Sequence, residues 1–160
     1  MYFRYIKLAL VSKKIEIKRL DKKDIEQFKE LITLFNEVFE VKKYKSAKKT
    51  YLQKVLKEPL FICIAAIYDN TIVGGLTAYE LPMYYAKYSE VLIYDMAVLS
   101  EYQRKGIGKK LITALKKYCR KKGIQYIFVP ANEEDAHALA FYTSTGGKPE
   151  KVIHFNYNAN

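Results

Sequence analysis

The chain has 160 residues, half of them apolar and 14% aromatic. That suffices for one domain with a sizeable core and excludes a disordered chain. Lys and Arg number 28 against 17 Asp and Glu, a formal charge of +11. Such a balance favours anionic partners: nucleic acid, a membrane surface or a phosphorylated cofactor. Lysines spread over solvated helix faces give the same arithmetic with no partner at all. Fifteen Tyr stand against no Trp, and composition attaches no function to them.

Cys63 and Cys119 lie far apart in apolar patterns, and the histidines are His137 and His154. No CxxC or His–Cys spacing occurs, so no metal site is expected. The two thiols read as reduced core residues of a cytoplasmic protein. No apolar run approaches the roughly 20 residues that span a bilayer. Met1 to Val11 is mildly apolar but broken by Arg4 and Lys7, with no cleavage site, so no signal peptide is expected. Residues 1–12 are taken as an extension of a single domain covering residues 1–160.

Ile15 to Leu20 alternates apolar and charged residues, the pattern of a half-buried strand. Asp21 is expected to cap the next helix, with Asp24 in the capping-box position. Ile25, Phe28, Leu31, Ile32, Phe35 and Phe39 keep its period. A second helix is expected from Ser46 to just before Pro59, turning Tyr51, Leu52, Val55 and Leu56 inward. Leu60 to Tyr68 is a nearly continuous apolar run, the signature of a strand buried on both faces. Asp69-Asn70 is hairpin chemistry, and Thr71 to Glu80 pairs back. Gly74-Gly75 inside it marks a bulge or a close backbone approach. Glu90 to Leu99 is a strand rich in Val, Ile and Tyr. A helix follows from Gly106 to Lys122, with Ile107, Leu111, Ile112, Leu115, Tyr118 and Cys119 inward and Gly123 as its stop. Then come a strand over Ile124 to Ala131, a helix from Asp135 to Thr145, and an alternating strand over Lys151 to Tyr157. The order β-α-α-β-β-β-α-β-α-β predicts an α/β fold with a mixed sheet and helices on both faces.

The informative stretch is Gln103-Arg104-Lys105-Gly106-Ile107-Gly108, between a strand and a helix. Gly106 and Gly108 let the backbone turn tightly and approach a ligand closely. The free amides of the following helix point outward with the positive end of its dipole behind them. Arg104, Lys105, Lys109 and Lys110 add charge. Together these describe a site for phosphate or pyrophosphate. It is not a Walker loop, lacking GK[ST], nor a Rossmann fingerprint, since it follows the fourth strand. The plain alternative is an ordinary strand-to-helix turn that needs glycine.

Gln103 to Gly108 resembles the Q/R-x-x-G-x-G/A acetyl-CoA signature of the GCN5-related N-acetyltransferase (GNAT) superfamily. Asp95-Met96-Ala97-Val98 resembles its fourth strand, and Ala138-Leu139-Ala140-Phe141-Tyr142 with Gly146-Gly147 resembles its A-x-x-x-Y-x-x-x-G segment. Ile93 to Val98, Ala138 to Thr143, Val152-Ile153-His154-Phe155, Leu34-Phe35 and Val73 to Tyr79 are similar to aminoglycoside 3-N-acetyltransferases of type I. The resemblance covers roughly residues 30 to 157 in order. One departure is Asn156, where the type I enzymes carry an acid.

The resemblance implies a mostly antiparallel central sheet whose fourth and fifth strands splay to admit the pantetheine arm of acetyl-CoA. It places that arm along Met96, Ala97 and Val98, and the pyrophosphate on Gln103, Arg104, Lys105, Gly106, Ile107, Gly108 and Lys109. Asp135, Ala138 and Tyr142 line the cofactor on one face of the last helix. Tyr142 matches the tyrosine that protonates the leaving thiolate, with general core packing as the alternative. Asp95 is the candidate base for the amine, directly or through water, with a carboxylate that supports the strand backbone as the alternative. Glu133, Glu134, Asp135 and Glu80 are candidates for a cationic acceptor, Glu90 beside them, with an acid favoured by the helix dipole as the alternative for Asp135. His154 sits at the acceptor end in the resembling enzymes, with a structural place on the final strand as its alternative. The implied activity is acetyl transfer to an amine of an aminoglycoside or a similar small polyamine. A peptide or protein amine is the first alternative, and a basic nucleic-acid-binding module a remoter one. Partners are then a small-molecule amine, with a homodimer left open, and neither nucleic acid nor membrane.

Overall fold

Apolar and alternating runs become strands, and 3.6-residue periods become helices, in the computed structural model, which describes residues 14–159. The expected extension over residues 1–12 lies outside them. In chain order come β1 (Glu16–Arg19), α1 (Ile25–Val38), α2 (Lys49–Lys57), β2 (Phe61–Tyr68), β3 (Thr71–Pro82) and β4 (Ser89–Val98). A 3-10 turn (Ser100–Tyr102), α3 (Ile107–Lys122), β5 (Tyr126–Phe128) and α4 (Ala136–Ser144) follow. The chain divides between Val129 and Pro130 into two compact units.

The first unit holds the sheet, in spatial order β1-β2-β3-β4-β5. Neighbours are antiparallel except β4 and β5, which run parallel. β2 is buried on both faces, as its unbroken apolar run implies. Phe61, Cys63, Ala65 and Ile67 join Phe28, Leu31, Leu34, Phe35, Leu52 and Leu56 under α1 and α2. The alternate residues Ile62 and Ile64, with Leu76, Ala78, Val91 and Ile93, are buried on the opposite face, where α3 packs with Ile107, Leu111, Leu115 and Cys119.

Asp69 and Asn70 both adopt positive φ, 51° and 63°, the two left-handed residues of a type I′ hairpin turn. At Gly74 and Gly75 the reason for glycine is proximity. A Cβ on Gly74 would lie 2.9 Å from the Ala97 carbonyl oxygen, and one on Gly75 2.6 Å from Leu31 Cδ1 and 2.8 Å from the Ile64 carbonyl oxygen. α1 therefore rests directly on the backbone of β3. Gly75→Ala is expected to destabilise the fold by about 1–3 kcal/mol, the cost of overpacking a tight contact. A lower urea midpoint with an unchanged slope is the expected reading; a wild-type midpoint would remove the packing argument.

Several elements differ from expectation. α1 begins at Ile25, not after Asp21: Asp21 closes a turn through its own side chain to the Lys23 amide, and its amide donates to Asp24 Oδ2 at 3.0 Å. One half of the capping box forms, but the helix starts three residues later, while Lys18 Nζ reaches Asp24 at 2.6 Å and ties β1 to α1. α2 begins at Lys49, and Tyr51 is exposed rather than inward: Leu52 and Leu56 are buried and Val55 packs against the core as expected, while Tyr51 lies off that face. Phe39 lies past the end of α1 and is also exposed. β5 is shorter than the apolar run around it. Lys151 to Tyr157 forms no strand: its apolar residues are exposed, and the second unit contains no strand among the described residues to supply a ladder. No helix among the described residues is long and apolar enough to cross a membrane.

Candidate active site

β5 pairs with β4 only over Glu90↔Tyr126, Val91↔Ile127 and Leu92↔Phe128. Val129 and Pro130 follow, and Pro130 has no N–H to continue a ladder. From Ile93 to Val98 no strand covers β4 on that side among the described residues. The two strands thus part where Met96, Ala97 and Val98 lie, leaving a slot in which an extended ligand with amide groups can pair as a further strand.

At the end of that slot the chain makes the anion-directed turn. Gln103 Nε2 donates to the Val98 carbonyl at 3.0 Å and pins the loop to β4. Arg104 and Gly106 take left-handed φ of 59° and 76°. Gly106 does so freely, whereas at Arg104 the conformation costs about 1–2 kcal/mol. Strain of this kind persists where surrounding structure enforces it, and it is concentrated at binding loops. α3 then begins, its first ladder bond running from the Lys110 amide to the Gly106 carbonyl at 3.1 Å. The amides of Ile107, Gly108 and Lys109 precede that bond, and no side chain caps them. Backbone donors and the helix dipole meet at this turn, flanked along the chain by Arg104, Lys105, Lys109 and Lys110, with Lys105 Nζ over the Tyr102 ring at 5.2 Å; the arrangement suits a pyrophosphate.

Asp95 sits on the α1 side of β4 because of a bulge. The register passes from Ala78↔Ile93 to Thr77↔Asp95, so Tyr94 is the extra residue. Plain alternation would put Tyr94 and Asp95 on opposite faces; the bulge brings both to the face that carries Thr77 and Tyr79. Thr77 Oγ1 donates to Asp95 Oδ2 at 3.3 Å. Burial nevertheless raises the Asp95 carboxyl above its ordinary value, with the Thr77 bond opposing. A base with such a shift lies nearer the pH at which it must accept a proton.

Glu80 is not on this face. It pairs with Val91, in step with Ala78 and Ile93, and so points toward α3. Its Oε2 is buried without a partner, and its charge adds to the burial that pushes the Cys119 thiol up to about 11. Glu90 lies at the start of β4, opposite Leu81 and Tyr126.

The second unit carries the other candidates. Asp135 is the N-cap of α4, accepting from the Ala138 amide at 2.9 Å. Glu133 and Glu134 are exposed in the turn before it, where the Glu134 amide donates to Asn132 Oδ1 at 3.3 Å. Ala138 and Tyr142 share the half-buried side of α4 with Phe141 and Thr145. The Tyr142 phenol is raised above its ordinary value, first by burial and then by the Asp135 charge. It is therefore protonated near neutrality and able to donate. The Gly147 amide bonds the Tyr142 carbonyl at 2.9 Å, and a Cβ on Gly147 would meet that same oxygen, so the Gly146-Gly147 pair anchors the tyrosine's backbone. His154 is exposed beyond α4 in the segment that forms no strand.

Thr77, Tyr79 and Tyr94 were not legible as site residues, nor was the left-handed φ of Arg104. Thr77 and the tyrosines depend on cross-strand register and on one bulge, and a positive φ at arginine has no sequence signal.

A family model described as Acetyltransferase (GNAT) family matches residues 27–146. The chain is 43% identical to an aminoglycoside acetyltransferase from an uncultured soil metagenomic sample, crystallised with trehalose; the match covers 91% of this chain and 97% of that one, with a TM-score of 0.89. A crystal of an aminoglycoside acetyltransferase with sisomicin, also from an uncultured soil metagenomic sample, matches at 42% identity over the same shares, TM-score 0.89. Another aminoglycoside acetyltransferase from an uncultured soil metagenomic sample is 33% identical over 92% of this chain and 99% of its own, TM-score 0.87. Among curated proteins, the ribosomal protein bS18-alanine N-acetyltransferase of Escherichia coli K12 is 32% identical over 68 residues, 42% of this chain. The chain thus spans 45% of the length of that curated relative.

Proposed function

From the premise that the chain belongs to the GNAT family of acetyltransferases, we propose that it transfers the acetyl group of acetyl-CoA to an amine of an aminoglycoside or similar small polyamine. The observation that carries this reading is the slot beside Met96–Val98 opening onto the strained Gln103–Gly106 turn. It has the hydrogen-bonding backbone that a pantetheine arm needs and the amides that a pyrophosphate needs. The high identity to aminoglycoside acetyltransferases over nearly the whole chain supports the acceptor class.

Acetyl-CoA supplies a thioester already activated for attack by an amine. Asp95 takes the proton that the ammonium must lose before its nitrogen has a free pair. A backbone N–H near Val98 polarises the acetyl oxygen. The Tyr142 hydroxyl gives its proton to the departing sulfur, and the second proton that the nitrogen sheds on becoming an amide restores the phenol through solvent. Glu133 and Glu134 add charge that attracts a polycation, each exposed pair contributing only about 0.2–1 kcal/mol. His154 belongs to the same acceptor region in this reading. The buried, unpaired thiols of Cys63 and Cys119 support a cytoplasmic location. A second reading, acetylation of a protein N-terminal amine, is favoured by the 68-residue match to the bS18-alanine enzyme.

The test is thiol release from acetyl-CoA against aminoglycosides, linear polyamines and a peptide with a free N-terminus. Release with the first two classes is expected. Release with the peptide alone would replace the small-amine reading by the second one.

A further inference from the structure

We propose that the faces of Tyr79 and Tyr94, together with the Asp95 carboxylate, form a docking subsite for an alkylammonium group, making Tyr94 a specificity-determining residue for the acceptor. The inference rests on the acetyltransferase reading for the ligand's identity, and on the first unit's geometry for the subsite itself.

Asp95 is an unpaired carboxylate in a chain with a large surplus of cations. Its protein partner is the Thr77 hydroxyl, on Oδ2. Among the described residues, no Lys or Arg forms an ion pair with it, and no cationic side chain contributes to its electrostatics. Half-buried carboxylates in such chains ordinarily find a lysine. One that does not, and that keeps Oδ1 free, is arranged for a cation that arrives from outside.

The tyrosines supply the other half. The Tyr79 and Tyr94 rings meet edge to face, centroids 5.8 Å apart at 81°. Tyr79 is held from beneath by Phe61 at 5.3 Å, and Phe61 by Phe28 of α1 at 5.8 Å. The core thus positions Tyr79, and Tyr94 leans on Tyr79. Tyr94 itself is 68% exposed. An exposed aromatic ring that shares a sheet face with the adjacent, uncompensated carboxylate presents a π face and a negative charge to the same side. A π face and a carboxylate together select an ammonium over a neutral group of equal size.

The arrangement also explains how a charged amine is both captured and released. The cation is held by the rings and drawn by the carboxylate. When the proton passes from nitrogen to Asp95, the amine becomes neutral and the carboxylate becomes a carboxylic acid. Both attractions then fall together, and the neutral amine is free to move to the acyl group. The bulge at Tyr94 is the structural device: without it the carboxylate and the ring would face opposite sides of the sheet.

The test uses choline and its neutral isostere 3,3-dimethylbutan-1-ol, neither of which carries an amine that can be acetylated. Titration of the full chain is followed by NMR of the tyrosine rings. Choline is expected to perturb Tyr79 and Tyr94 and to bind about fivefold or more tighter than the isostere. Tyr94→Phe keeps the π face and should retain that preference, whereas Tyr94→Leu keeps apolar bulk and should narrow it to what Tyr79 and Asp95 supply; an undiminished preference in Tyr94→Leu would remove Tyr94 from the subsite. In thiol-release assays Tyr94→Leu should raise KM for a polyamine and leave KM for acetyl-CoA in place. Equal affinity of wild type for choline and the isostere would overturn the subsite without reference to any variant. Choline selectivity in a chain that releases no thiol would uphold the subsite and overturn the transfer reading instead.

Discussion

Tyr142→Phe is expected to lower turnover roughly 100-fold or more, with acetyl-CoA binding little changed. The substitution keeps the ring, and with it the contact to Phe141 at a centroid distance of 5.2 Å. The backbone anchor from Gly147 is untouched, because it involves the Tyr142 carbonyl and not the phenol. What is lost is one proton donor. Burial and Asp135 both disfavour the phenolate, so the hydroxyl stays protonated above the pH at which an ordinary tyrosine ionises. A donor of that kind serves a thiolate leaving group well, since it gives up its proton only as negative charge builds on sulfur. Turnover is read by thiol release, and binding by calorimetric titration with acetyl-CoA. A Phe variant that turns over like wild type would assign Tyr142 to packing alone.

Local chemistry is what the sequence displays. The turn at Gln103–Gly108 could be read because glycine, flanking cations and a helical period all fall within a short window. Gly123 and Asp69-Asn70 were readable for the same reason: the residue types that tolerate left-handed φ stand where such a φ is needed. Nonlocal facts were hidden. Alternation along Glu90–Leu99 gives no hint that Tyr94 is an extra residue, so the face of Asp95 could not be assigned. Glu80 and Asp95 look like neighbours on adjacent strands, yet register places them on opposite faces of the sheet. The alternating tail at Lys151–Tyr157 has a strand's pattern, but a strand also needs an edge to pair with, and pattern says nothing about edges. Fifteen tyrosines carried no message as a count; two of them acquire one through placement beside an unpaired carboxylate.

Asp95→Asn is expected to cost about 10²–10⁴-fold in turnover, the range for loss of a general base, while leaving the fold at least as stable as wild type near neutrality. The two halves of that expectation come from one observation. Burial raises the Asp95 carboxyl above its unfolded value. The folded chain therefore holds this proton more tightly than the unfolded chain does. Asp95 contributes to stability below its unfolded value, and the contribution is lost as pH rises through its folded value. Above that point the charged carboxylate is a cost to the fold, one that no Lys or Arg ion pair among the described residues offsets. Asparagine has nearly the same shape, still accepts from Thr77, and carries no charge, so the cost disappears. Thermal melts at pH 5 and pH 8 should show the variant gaining on wild type at the higher pH. In kinetics, wild type should lose kcat/KM on the acid side as Asp95 is protonated, and that limb should vanish from the residual activity of Asp95→Asn. A variant that melts lower than wild type at pH 8 and keeps the same acid limb would make Asp95 a strand-supporting residue and move the base elsewhere. A stability gain joined to a lost acid limb is the signature of a carboxylate kept unpaired for chemistry rather than for folding.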